Sequence, residues 1–387
     1  MTGFSLQAAT AGILASLVGF ASATVVVPGL LAVGATPAQA ASGLMALSIA
    51  MGVCGVLMSL LTRMPISIAW STPGAALLAS AGLVEGGFAA AVGAFLVTGL
   101  MIVLAGLWKP LSRWVAAIPA PFANAMLAGV LFQLCVAPVY AVVELPVLAL
   151  TIIVVWALMA RFKRLYAIPA AVAVAAVLIA VTTDIPAGSL TPVTPEPLLV
   201  MPTLNLAAVM GIALPLFIVT MASQNITGIA VLKTYDYHPN PGRMFTVTGV
   251  FSLLAAPFGG HGINLAAITA AMCAGEEAHP DRARRYWAAA TAGVCYILLG
   301  LVAGAAAGFM EASPPILIEA VAGLALLGAF GSSLSSALGA PDDREAAAVT
   351  FIITASGITV MGIGGAFWGL LAGGLLMALM RSRRSAA

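Results

Sequence analysis

Three short stretches of this 387-residue chain place polar groups inside otherwise apolar sequence. The first, Ser71-Thr72-Pro73-Gly74, follows Pro65-Ile66-Ser67-Ile68-Ala69-Trp70. The approach reads as extended, and a hydroxyl followed by proline is a helix-start signal. The second, Pro257-Phe258-Gly259-Gly260-His261-Gly262-Ile263-Asn264, puts three glycines in four positions, a turned or extended backbone before a helix expected to begin near Asn264. The third, Ser223-Gln224-Asn225-Ile226-Thr227-Gly228, sets two neighbouring amides in an apolar helix. Exposed helix N-termini carry unpaired N–H groups and a positive dipole end, which suits an anion. Buried amides are costly unless they meet partners. The alternatives are ordinary kinks in the first two stretches and a helix–helix hydrogen-bond pair in the third.

The elements that position these groups must lie in a membrane. Hydrophobic residues make up 62% of the chain and charged residues 7%, far below the quarter that soluble domains carry. The apolar runs are continuous, which argues for helices over a transmembrane barrel. Fourteen segments are expected, near 8–30, 38–62, 66–82, 87–107, 116–139, 143–161, 166–183, 204–232, 242–256, 260–275, 286–310, 314–339, 344–361 and 363–380. The third and tenth are short for ordinary spans. All fifteen Lys and Arg fall in loops after even-numbered segments or in the C-terminal tail. Loops after odd-numbered segments carry Glu85, Glu144, Asp184, Glu196 and Glu311. The positive-inside rule then puts both termini in the cytoplasm of a bacterial-type inner membrane.

The proline-rich stretch 184–203 reads as a linker between halves 1–183 and 204–387, each of seven segments. An odd number per half inverts the second half relative to the first. Three local matches support the repeat. Val27-Pro28-Gly29-Leu30 resembles Ile226-Thr227-Gly228-Ile229, Met64-Pro65-Ile66 resembles Ala256-Pro257-Phe258, and Pro121 with Ala128-Gly129 resembles Pro315 with Ala322-Gly323. Their offsets are 199, 192 and 194. The expected fold is therefore an all-α polytopic 7+7 inverted repeat with broken segments 3 and 10. The candidate binding residues are Ser71, Thr72, Gly74, Gln224, Asn225, Thr227, Gly260, His261, Gly262 and Asn264.

Two ionisable groups fall at membrane depth. His261 sits at the segment 10 break and Glu319 about two turns into segment 12. Either could carry a proton. Equally, His261 could lock the glycine turn as a neutral ring, and Glu319 could be an entrance carboxylate reached by water. A third route needs neither, with proton and anion binding together. The cysteines Cys54, Cys135, Cys273 and Cys295 form no C-x-x-C pair and read as small buried residues. No phosphate-binding loop appears, and no cofactor, metal or nucleic-acid partner is expected. His261 has no acidic or cysteine neighbour in sequence, which argues against an intramembrane enzyme.

Three motifs carry a family resemblance: SQN-x-x-G-x-A-V-L in segment 8, FGGHGINLAAITAA in segment 10, and EEAHPD-x-ARRY after it. Along essentially the whole chain the sequence resembles the benzoate/proton symporter (BenE) family, itself similar in architecture to nucleobase–ascorbate transporters. The resemblance implies a core domain, a gate domain carrying Glu319, and inward movement of benzoate with a proton. It is also compatible with a homodimer. The nucleobase relatives carry acidic residues in segments 8 and 10. Here Gln224, Asn225, His261 and Asn264 stand instead, as suits a substrate that is itself a carboxylate.

Overall fold

The structure is a computed structural model in which residues 4–108, 110, 119–186, 188 and 190–384 are described. The basic loop with Lys109 and Arg113, and the side chains of Arg381, Arg383 and Arg384, lie outside that description. The chain is a helical, polytopic membrane protein. Among the described residues, seven helices are long and apolar enough to cross a bilayer, and an eighth arises if a pair bent by 58° counts as one.

In chain order the first half holds α1 (Leu6–Phe20), α2 (Ala23–Ala32), α3 (Pro37–Thr62), β1 (Ile68–Trp70), α4 (Thr72–Ala81), α5 (Gly87–Leu107), α6 (Ala120–Glu144), α7 (Pro146–Lys163) and α8 (Ala167–Thr182). The second holds α9 (Leu206–Thr234), α10 (Pro241–Ala255), β2 (Ile263–Leu265), α11 (Ile268–Ala274), α12 (Tyr286–Leu301), α13 (Ala303–Ala312), α14 (Pro315–Leu338), α15 (Arg344–Ala355), β3 (Thr359–Val360), β4 (Ile363–Gly364) and α16 (Gly365–Arg384). Among the described residues of 183–205 none is helical.

Local chemistry sets several boundaries. Thr36 and Gln39 form a reciprocal capping box at the start of α3, with Pro37 at the first helical position. Asn240 caps α10 by accepting from Arg243 N at 3.1 Å, again followed by proline. Expectation and structure part in three places. The helix of segment 10 begins at Ile268, because Asn264 is held in a strand. The expected run 344–361 stops at Ala355, and a small hairpin follows. That hairpin turns through left-handed backbone at Gly357, Met361 and Gly362, which a helix cannot continue through. The first segment breaks at Ala21–Ser22, between α1 and α2.

Buried side chains gather in two main clusters. The larger joins α1–α5 with α9–α12, including Leu44, Met51, Trp70, Leu78, Phe95, Leu216 and Ile263, and continues into α6, α13, α14 and α16 through Met126, Leu131, Ala307, Leu326 and Ala366. A second cluster joins α6, α7, α8 and α14 through Ala141, Ile152, Ala171, Ile179, Leu317 and Val321. Helix α6 lies along α14 and α15, and also touches α4. β1 and β2 sit inside the first cluster.

Candidate binding site at the crossed broken segments

β1 and β2 pair antiparallel, with Ile68 opposite Leu265, Ala69 opposite Asn264 and Trp70 opposite Ile263. Ser71 N donates to Gly262 O (3.2 Å) and Ala266 N donates to Ser67 O (3.0 Å), extending the ladder one step at each end. Extended backbone at membrane depth is tolerated only where protein satisfies its polar groups. Here the outer edge of β2 is covered by side chains. Ser252 Oγ accepts from Ile263 N at 2.9 Å, and Asn225 Oδ1 accepts from Leu265 N at 3.0 Å.

A left-handed turn starts the second strand. Gly259 (φ +93°) and Gly262 (φ +141°) hold backbone that side chains with a Cβ resist, and Gly260 lies between them. His261 is thereby buried to 1% exposure, with its ring edge-on to Phe95 at 6.4 Å. Its Nε2 stands 2.9 Å from Ser71 O. A carbonyl only accepts, so Nε2 carries the hydrogen. Nδ1 is buried without a partner among the described residues. Asn264 is fully buried. With its amide turned so that both ends are satisfied, its oxygen accepts from Ser71 N at 2.9 Å and its nitrogen donates to Leu265 O at 2.9 Å.

Helix α4 starts where β1 ends. Ser71 is its cap and accepts from Gly74 N at 3.2 Å, while Thr72 and Pro73 are the first two helical residues. Ser71 Oγ also meets Thr220 Oγ1 of α9 at 2.8 Å. Thr72 Oγ1 donates to Ser22 Oγ (3.3 Å), which also accepts from Trp70 Nε1 (2.8 Å) and gives its own hydrogen to Gly19 O (2.7 Å). One hydroxyl at the break between α1 and α2 thus ties segment 1 to the start of α4. On the far side, Ser67 Oγ meets Thr269 Oγ1 of α11 at 2.8 Å.

The amides of α9 divide in role. Residues Thr220–Asn225 form a π-helical turn, a wide turn rare in proteins and common at functional sites. Asn225 is fully buried, bonded to β2 and, through Nδ2, to Met221 Sδ (3.3 Å). Gln224 is half-buried, and among the described residues its amide makes no hydrogen bond. Thr227 is exposed and donates back to Ala222 O (3.2 Å). Glu319 lies on α14, half-buried, with no hydrogen bond joining it to these groups.

The structure therefore brings together Ser71, Thr72, Gly74, Asn225, Gly260, His261, Gly262 and Asn264, sets Gln224 beside Asn225 without a bond to the network, and leaves Thr227 and Glu319 outside it. Sequence reasoning missed Ser22, Thr220 and Ser252, whose only signal is a small hydroxyl in an apolar run. It also missed that Arg285 is buried. That guanidinium donates to Ala274 O and His279 O, both at 2.7 Å, and so fastens the end of α11 far from the strands. No cluster of three His, Cys, Asp or Glu able to hold a metal occurs among the described residues.

A family model for the benzoate membrane transport protein, BenE, matches residues 2–379. The chain belongs to the BenE family. Family membership makes it a multi-pass membrane transporter. It is 41% identical to the inner membrane protein YdcO of Escherichia coli (strain K12) over 371 residues, 94% of this chain and 93% of that one. It is 30% identical to the benzoate membrane transport protein of Acinetobacter baylyi (strain ATCC 33305 / BD413 / ADP1) over 380 residues, 96% and 94% of the two chains. This BenE-family fold also resembles solved transporters at 14% identity. The transmembrane domain of a cyanobacterium bicarbonate transporter, BicA, superposes with a TM-score of 0.61 over 95% of this chain and 97% of that one. SLC26A9 gives 0.59 over 96% of this chain and 65% of its own.

Proposed function

We propose that this protein is a secondary active transporter that moves benzoate or a related aromatic carboxylate into the cell together with a proton. The observation that carries the reading is the uncharged, donor-bearing site at the crossed strands, in a chain whose family is one of benzoate transport. Gln224, half-buried one turn beyond Thr220 and next to Asn225, has an amide with no hydrogen bond among the described residues. The first-turn N–H of Thr72, which lies too early in α4 for an intrahelical partner, presents a second donor. Among the described residues no carboxylate hydrogen-bonds within the site.

The architecture we propose for this activity is fourteen segments in two inverted halves, 1–183 and 204–387, joined by 184–203, with both termini cytoplasmic in an inner membrane. Two features support the repeat. The middle pair of the ladder, Ala69 and Asn264, is separated by 195 residues, within the range of the sequence offsets. A two-fold relating the halves would pass through that pair. Gly29 and Gly228, matched in sequence, also sit in equivalent roles. A Cβ on Gly29 would collide with Ala75 O of α4, and one on Gly228 would lie 2.7 Å from Leu265 Cβ of β2. Each lets a helix lie directly on the broken segment of its own half. Segments 1–4 and 8–11 form the proposed core, which moves against a gate of segments 5–7 and 12–14; the second buried cluster, whose buried residues lie on α6, α7, α8 and α14, supports the gate as a unit.

For the proton, His261 and Glu319 remain the side chains available at membrane depth. The geometry gives His261 a holding role, since its Nε2–H is committed to Ser71 O and its ring is sealed against Phe95. Uptake of labelled benzoate into proteoliposomes under an imposed inward pH gradient tests the function. Gradient-driven accumulation is expected. Uptake of uracil or sulfate with none of benzoate would favour the second reading, a carrier of another small anion or a nucleobase on this fold.

A further inference from the structure

We infer that the site takes its substrate as the neutral carboxylic acid, proton and carboxylate together, with the primary amide of Gln224 as the partner that recognises it. This rests on the reading of an aromatic carboxylate as substrate and names the species that is bound.

The donors and acceptors at the site are the first ground. Gln224 offers an N–H and a carbonyl side by side, neither used by protein among the described residues. A carboxylic acid offers the complement, an O–H donor beside a C=O acceptor, so acid and amide can close a ring of two hydrogen bonds. Gln224 stands one turn beyond Thr220, which touches the cap of α4, and next to Asn225, which touches β2. Thr72 adds an acceptor. Its hydroxyl hydrogen is spent on Ser22 Oγ, whose own hydrogen goes to Gly19 O, so half-buried Thr72 Oγ1 has only lone pairs left to offer. An ionised carboxylate finds no use for acceptors.

The second ground is charge. The elements packed against the Thr220–Asn225 turn are β2, α4, α6 and the adjoining parts of α9. Their titratable groups are Cys135, Tyr140 and Glu144 on α6 and Lys233 in the last turn of α9. None hydrogen-bonds at the crossed strands. His261, just before β2, is held by Ser71 O behind the pair. The buried guanidinium of Arg285 is engaged at the opposite end of α11. A carboxylate desolvated there would meet dipoles and no counter-charge, which is expensive in low dielectric. The neutral acid avoids that expense. A carboxyl group with pKa near 4 is protonated in about one molecule per thousand at pH 7, so apparent affinity is about a thousandfold below that for the acid. On release into a near-neutral cytoplasm the O–H bond breaks to water, and one proton has moved with each substrate without any side chain titrating.

The experiment uses purified wild-type protein and labelled benzoate, with binding measured from pH 5 to pH 8. Apparent affinity is expected to weaken about tenfold per pH unit. Benzamide, a neutral isostere with the same ring of donor and acceptor, should compete, and benzenesulfonate, an anion throughout, should not. Gln224→Leu should weaken benzoate binding about tenfold or more at every pH, while Glu319→Gln, outside the network, keeps one proton per benzoate in uptake. A flat affinity with competition by benzenesulfonate would overturn this inference and leave benzoate symport standing with a titrating side chain. Absence of benzoate binding at every pH would remove both.

Discussion

Segments 3 and 10 cross at one point and are built differently. Segment 3 enters as a strand and continues as α4, ten residues long, capped by Ser71 and stapled to α1 and α9 by hydroxyls. Segment 10 spends its polar residues before its helix. His261 and Asn264 are buried and bonded to Ser71, and α11 is seven residues long with no side-chain cap. In the proposed site, segment 10 is thus largely scaffold, and segment 3 with Gln224 supplies the open groups. Two broken helices of equal rank would each present their ends to the substrate. The asymmetry says that one half holds the other in place.

The largest test of that contrast is steric. Gly29→Val and Gly228→Val should each abolish transport and cost about 1–3 kcal/mol, read as a lowered midpoint in thermal unfolding. Gly29 should be the worse site, since its Cβ would come closer to Ala75 O than one at Gly228 comes to Leu265 Cβ. A variant that transports at the wild-type rate would break the claim that both breaks need close helix approach.

The scaffold role of segment 10 is tested next. Asn225→Leu leaves Leu265 N buried without a partner, a loss of about 1–3 kcal/mol. Its neighbour Gln224→Leu should leave stability within about 0.5 kcal/mol, because no bond is lost. Thermal unfolding with benzoate binding on the same samples separates the two. Equal destabilisation would erase the division between adjacent amides.

Ser71→Ala removes the cap of α4 and the partner of Thr220, an expected loss of about 1 kcal/mol. Ser71→Thr should restore most of it. The smallest effect lies at the loops. Asp236 pairs with Arg282, which also stacks over the Tyr237 ring at 4.5 Å, and this pairing holds the Asp236 carboxyl below its ordinary range. A carboxyl depressed in the folded state stabilises above its unfolded pKa, and that contribution is lost as pH falls through the folded value. Asp236→Asn should therefore flatten a slight acid-side loss of stability and leave benzoate affinity unchanged, since the pair is exposed and screened.

Much of this was legible in the sequence because its cause is local. The turn of segment 10 follows from Gly259 and Gly262, and the start of α4 from a hydroxyl with Pro73. Hydropathy gave the helices, since lipid demands continuous apolar runs. Composition named His261 and the amide pair as candidates, and the motifs named the family. What sequence could not assign was the work of each polar group. Asn225 and Gln224 are neighbours of similar chemistry, and only the π-helical turn sends one to β2 and leaves the other free. Ser22, Thr220 and Ser252 look like any small residue in an apolar helix until the strands cross beside them. Asn264 reads as a helix start and proves to be a strand residue because β1, 195 positions away, satisfies its backbone. Spacing along the chain determined which groups lie at membrane depth. Hydrogen bonds between distant segments, which no local rule fixes, decided which of them hold the site and which remain open to a substrate.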